Sequence, residues 1–555
     1  MLLAAASIVG LAACVLDTAG TDVDTPGSGA ASSTASSGGA GGSAAEGGSG
    51  GGEQTPCVPG TRVACYGGED ATRNVGACHD GERECNPKGT GYGPCVGDQL
   101  PRTEDCGTPD DESCDTLVGC TGTVSVVFDF GENDDIDGFG LATVGDDAVV
   151  ACGVSGAWLS QPCQDFDVGI GRFDLDKSEV FSGRFGGAGR QVATGVTRDA
   201  GNRLWMTGFF DPDLDFGDGP LADDGNTNTQ NIWVARFDSS GSYQWSAGFG
   251  AADVDDEASA IAAGIEEADG VVVVGSFRGL LDLGGAFQLQ DTGNGGDVFV
   301  ARFDADGTVG AAKRFGDASY QHATSVARFY GGDLAVAGFY EGTIDFGGGE
   351  LPAANYRSAF VARLDREGAH VWSRGFGGAG EDVVDGVAAA PDGGTVVVGS
   401  FENPGDIELG GACGMVEGVQ SGHDAYAIKF DAGGDCVWAH RWGDLGDARA
   451  HGVAVDGAGQ VIVTGEFNDG MTVGDEVHDS FGYNDAFVLK LGADGEPIWS
   501  RSFGDAADEQ RGYRVGALES GEIWLLGKYG GTIVIDGKGL TTPDDNHAFL
   551  MRIAP

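Results

Sequence analysis

The stretch that decides the fold reads ASAIAAG (258–264), VVVVGSF (271–277), DVFVARFD (297–304) and GAAKRFG (310–316). These are four short β-rich runs with turn residues between them, such as Asp304-Ala305-Asp306-Gly307. The same order returns as AHGVAVD (450–456), VIVTGEF (461–467), DAFVLKLG (485–492) and PIWSRSFG (497–504). Its closing aromatic-Gly step occurs at Phe130-Gly131, Phe185-Gly186, Phe249-Gly250, Phe315-Gly316, Phe376-Gly377, Trp442-Gly443 and Phe503-Gly504, at intervals of 55 to 66 residues. An all-strand unit repeated seven times at this period predicts an all-β chain folded as a seven-bladed β-propeller.

The seventh unit stops after its third strand, HAFLMRI (547–553). Its missing fourth strand stands at the other end of the domain, VSVVFDFG (124–131). One end supplying what the other lacks predicts a shared last blade, which leaves no exposed sheet edge. The repeated phrases resemble a family of bacterial β-propeller repeats with the core "vvvvGsF…daFvaRfD…Ws..fG". The resemblance covers about 430 residues and implies a propeller domain over 121–555.

Upstream, MLLAAASIVGLAAC is an apolar segment of signal-peptide length, too short to span a bilayer as a helix. Leu11-Ala12-Ala13-Cys14 resembles the lipobox of bacterial lipoproteins. The resemblance implies a signal peptide over 1–13, cleavage before Cys14 and a lipid on its thiol. Val15 stands where that family places an inner-membrane retention Asp, which implies the outer membrane or cell surface. Residues 14–56 are then anchor and linker, much of it Gly, Ser and Ala. About 28 such residues span roughly 30 Å, enough to lift a domain off a membrane.

Thirteen cysteines leave an even twelve once Cys14 is set aside. Eight fall in one small module over 57–120: Cys57, Cys65, Cys78, Cys85, Cys95, Cys106, Cys114 and Cys120. With almost no apolar content, that module needs disulfides in place of a core, and no Cys-x-x-Cys pair suggests zinc. It resembles the Cys-rich segment ahead of repeat domains in myxobacterial surface lipoproteins, without the Asp-Gly repeats that would supply metal ligands. The remaining four predict two pairs, Cys152 with Cys163 and Cys413 with Cys436.

A formal charge of −55 excludes nucleic acid and anionic membrane surfaces as partners. Lipid would therefore be the sole membrane attachment. A basic residue recurs in the third strand of every unit (Arg172, Arg236, Arg302, Arg363, Lys429, Lys490, Arg552). Its sameness argues for paired scaffold charges rather than a ligand ring.

In an antiparallel meander of strands a to d, the b–c and d–a connections share one face. The b–c connections are long and the d–a connections acidic, so that face carries the variation and should bind, with the least regular backbone. Its candidate metal or ligand residues are Asp134, Asp135, Asp137, Asp255, Asp256, Glu257, Glu381, Asp382, Asp508 and Glu509. Clustered carboxylates suit Ca²⁺, although no Asp-x-Asp-x-Asp-Gly loop is present. No other cofactor is implied. The eight His are scattered, and no nucleophile elbow or phosphate loop stands out, so no catalytic residue is assigned. The expectation is a non-enzymatic scaffold for a protein or glycan. The alternative is a propeller hydrolase, lyase or quinoprotein-type dehydrogenase with its site on the long-loop face.

Overall fold

A computed structural model describes residues 57–100 and 122–555, apart from 69–71, 75–76, 131–135, 156, 159–160, 163–165, 175–177, 222–228, 251–255, 264–269, 294, 353, 379, 404–405, 419–421, 445, 481–482, 505–507, 536–537 and 543–546. The signal, lipidation and linker assignments at 1–56 lie outside the described residues, as do Cys106, Cys114, Cys120, Cys163, Asp134, Asp135 and Asp255. The described residues contain strands and no helix. They fall into two units.

The small unit holds one strand pair, Arg62–Cys65 with Gly81–Glu84. Disulfides join Cys57 to Cys85 and Cys65 to Cys95, and Cys78 is also disulfide-bonded. Its buried apolar residues are Cys65, Cys78 and Cys85. Sulfur replaces the core that so few apolar residues cannot build.

The large unit is a seven-bladed β-propeller. Each blade is a four-stranded antiparallel sheet in the order a-b-c-d. The third blade, for example, pairs Glu257–Ala263, Val271–Phe277, Asp297–Phe303 and Val309–Phe315. In the last blade Val124–Phe130 pairs with His547–Ile553, beside Ile523–Tyr529 and Gln510–Ala517, so the two chain ends close the ring in one sheet. Strands b and c are buried along nearly their whole length because neighbouring blades cover both faces.

The repeated sequence signs have local causes. At the Phe-Gly step, glycine is required by the buried residue that opens strand c. A Cβ on Gly186 would lie 1.7 Å from Asp167 Oδ1, one on Gly250 would lie 1.8 Å from Asn231 Oδ1, and one on Gly504 would lie 2.1 Å from Asp485 Oδ1. The Asp that follows strand c caps the c–d turn. Asp365 Oδ1 accepts from the Glu367 and Ala369 amides (3.0 and 2.7 Å), and Asp431 does the same for Gly433 and Asp435.

Candidate functional site

The third-strand basic residues are scaffold. Arg172 pairs with Asp147 (2.7 Å), Arg302 with Asp304 (3.2 Å), Arg363 with Asp333 (3.1 Å), Lys429 with Asp392 (2.7 Å) and Lys490 with Asp456 (3.4 Å). Arg552 pairs with Glu522, and Arg236 donates to the Ala305 carbonyl while lying over the Trp205 ring. Two fourth-strand tryptophans link neighbouring blades at the c–d turns. Trp372 Nε1 donates to Ala432 O (3.1 Å) and Trp438 Nε1 to Ala493 O (3.2 Å).

On the opposite face the b–c connections are more regular than their sequences suggest. Five form two-stranded hairpins, such as Leu280–Asp282 with Gln288–Gln290 and Gly470–Val473 with Glu476–Asp479. In the other two blades a single bridge closes the loop, Asp215 with Pro220 and Asp345 with Glu350. Pairing within each connection satisfies polar groups that a bare loop would leave to water. One such connection, Asp406–Gly410 with Gly414–Glu417, is tied to strand d by the Cys413–Cys436 disulfide.

Not all acids expected at this rim face a ligand. Asp256 and Asp382 are fully buried. The Asp256 carboxylate accepts from the Arg278 amide (3.1 Å) and that of Asp382 from the Gly378 amide (2.7 Å). Burial, with the nearby Glu402 charge, raises the Asp382 pKa to about 7 against the Gly378 bond. Gln321 and Gln510 open their own strands a and likewise bond loop backbone, Gln321 to the Asp317 amide and the Glu341 carbonyl and Gln510 to the Gly530 carbonyl. Asp256 and Asp382 thus pin loop backbone. Glu381 remains half exposed and pairs with Arg357 (3.7 Å), Glu509 pairs with Arg511 (2.6 Å), and Asp137 pairs with Arg190. Asp508 is partly exposed, as is Glu257. Among the described residues, no group of three or more His, Cys, Asp or Glu is placed to hold a metal ion.

A site that sequence reasoning missed lies in the central channel. Every strand a carries a register shift against strand b at the same point, and the extra residue is Gly138, Thr194, Ser259, Thr324, Asp385, His451 or Tyr513. A bulge leaves one residue unpaired and re-aims its side chain. All seven line one cavity of about 230 Å³. Scaffold positions repeat, whereas this ring holds six residue types. Aligning the seven first strands and finding the most varied column is the signal that could have revealed it.

Neighbours in the ring bond across blades. Thr194 Oγ1 donates to Ala258 O (2.6 Å) and Thr324 Oγ1 to Val384 O (2.5 Å). Ser259 Oγ meets His322 Nε2 at 3.0 Å, while His322 Nδ1 meets the hydroxyls of Ser276 (2.9 Å) and Tyr320 (3.1 Å). Burial and the Arg357 charge lower the His322 pKa to about 4. His451 has the opposite setting, with Nδ1 3.4 Å from Asp385 and Nε2 3.5 Å from Glu466. Burial opposes its charge, but the two carboxylates prevail and raise its pKa to about 9. Its ring stacks on Tyr513 (5.5 Å), which stacks on Phe139 (4.4 Å).

The ring presents hydroxyl, imidazole and carboxylate groups to one cavity. Ser259 and His322 form a hydroxyl–imidazole pair, but the far nitrogen faces two hydroxyls instead of a carboxylate, and a histidine titrating near 4 is a weak base. His451 is committed to two carboxylates as an imidazolium.

No protein-family model matches the chain. It is 29% identical over 114 residues to an uncharacterized WD repeat-containing protein, L264, of Acanthamoeba polyphaga mimivirus, covering 20% of this chain and 8% of that protein. The chain thus spans under a tenth of that curated relative's length. Among solved structures, it is similar to Sqt1 from Chaetomium thermophilum (10% identity, TM-score 0.38, 78% of this chain and 99% of that one). It is also similar to the phage phi92 endosialidase (9%, 0.32, 79% and 70%). A third similar structure is the parainfluenza virus 5 hemagglutinin-neuraminidase ectodomain (6%, 0.32, 78% and 84%).

Proposed function

We propose that the chain is an exported binding protein, held at the outer membrane or cell surface by a lipid on Cys14. Its propeller acts as a non-enzymatic scaffold for a protein or glycan. The observation that carries this reading is the asymmetry of the two faces. Tight turns on one side are consumed in blade-to-blade bonds, while all seven b–c connections emerge on the other as different hairpins or bridged loops. A rigid ring presenting variable connections on one rim is a binding architecture. Its partner should tolerate an acidic rim, which favours a basic protein or a cation-bridged glycan.

The test is capture of envelope proteins and glycans by the full chain. Wild type is compared with variants whose 278–291 and 469–480 hairpins are cut to short turns, and with a control altered at the tight turns of Asp306 and Asp494. Loss confined to the hairpin variants supports the reading; equal loss in the control overturns it. Cys14→Ser should release the protein to soluble fractions, and unchanged membrane association would refute the anchor.

A further inference from the structure

Next to the ring, the wall of the channel changes character between the seventh and first blades. The residue after the bulge is small in five blades: Gly195, Ala260, Ser325, Gly386 and Gly452. The adjoining blade requires this at several of them; a Cβ on Gly452, for example, would lie 2.7 Å from Tyr513 O. In the other two blades, which are neighbours, it is Arg514 and Phe139.

Arg514 and Phe139 line both the channel cavity and a second cavity of about 450 Å³, whose walls also include Phe166 and Lys528. Arg514 donates through Nη1 to the Tyr513 carbonyl (3.1 Å), and among the described residues no carboxylate stands within ion-pair distance of it. Arg190, Arg357 and Arg511, also at the channel or rim, each have a carboxylate partner. In a chain with a formal charge of −55, this guanidinium has no ion-pair partner and faces a cavity with a lysine, aromatic rings and one carboxylate, Asp137, that is already paired with Arg190. A semi-enclosed site screens such a charge poorly, and a planar guanidinium matches a carboxylate in bidentate geometry.

We propose that the cavity between the seventh and first blades, which shares Phe139, Tyr513 and Arg514 with the channel cavity, binds a small ring-bearing carboxylic acid. Arg514 receives the carboxylate, Lys528 adds charge, and the ring packs against Phe139, Tyr513 and Phe166. On the channel side, Asp385 offers an acceptor for a ring hydroxyl. The site is independent of the surface-partner reading, since it uses no b–c hairpin.

The experiment is calorimetric titration of the full chain with benzoate and glucuronate, each beside its uncharged counterpart, benzamide and glucose. Saturable binding of at least one acid, with its uncharged counterpart weaker by about tenfold or more, is expected from a charge-assisted contact. Preference for benzoate identifies an aromatic acid, and preference for glucuronate a sugar acid. Arg514→Gln should weaken the acid by a similar factor, and Arg514→Lys should restore part of it. Equal binding of acid and uncharged counterpart, no saturable binding of either acid, or wild-type affinity in Arg514→Gln would overturn the proposal. The wild-type comparison stands even if a variant folds poorly.

Discussion

His451 on the sixth blade places Nδ1 3.4 Å from Oδ2 of Asp385 on the fifth, and each is the bulged residue of its own first strand. Two register shifts far apart in sequence thus make one ion pair at the centre of the molecule. Glu466 holds the other nitrogen and is itself held by Arg511 (2.7 Å) and Asn484 (2.8 Å).

The pair makes stability depend on pH. The folded-state pKa of His451, about 9, exceeds the ordinary imidazole value of 6.5. Its contribution is therefore complete below about pH 6.5 and lost as pH rises through 9. Denaturant titrations should show stability falling over that window by an amount on the order of 3 kcal/mol at most. His451→Gln should flatten the decline; an unchanged slope in the variant would refute the assignment.

Asp382 works in a lower window, and with a burial penalty. Its carboxyl is raised from 3.8 to about 7, so between about pH 4 and 7 the folded chain holds a proton that the unfolded chain has released. Stability from this group therefore falls as pH climbs from 4 to 7. Asp382→Asn should remove that slope. Glu381→Gln, at the neighbouring half-exposed position, should change stability by no more than about 0.5 kcal/mol. Matching behaviour of the two variants would show that Asp382 is not a buried pin.

Gly186→Ala tests the steric origin of the Phe-Gly step. Its Cβ would collide with the Asp167 carboxylate, and a well-packed site resists such insertion at a cost of about 1–3 kcal/mol. Thermal melts should show that loss, and a second change, Asp167→Ser, should recover part of it. A single variant as stable as wild type would mean that the step is kept for another reason.

Removing residues 121–131 tests the closure. The deletion strips strand d from the last blade, exposes the His547–Ile553 edge and removes Gly122, which lies under the Trp499 ring. Light scattering should report aggregation, and melts a marked loss of stability. Cutting an equal length from the linker at 26–36 should do neither; similar behaviour of the two deletions would contradict the shared blade.

The sequence alone determined the number of blades, the order of their strands and the way the ring closes. Those features are local and repeated: β-rich runs, capping Asp residues after strand c, and glycines forced by a buried side chain in the same blade. Even the ion-paired state of six of the seven strand-c cations was legible, because charges in packed sheets demand partners; Arg236 instead bonds a carbonyl and lies over a Trp ring. The tertiary structure alone decided which residues meet in the channel. A bulge moves the strand by one residue and so reverses which side chain faces inward; Ala-His-Gly-Val or Val-Asp-Gly-Val read singly does not mark that shift, and only the seven first strands aligned would have pointed to it. It also decided that Asp256 and Asp382 are buried while their neighbours are exposed. Burial there depends on how a loop folds back over its own blade, which acidic composition does not encode.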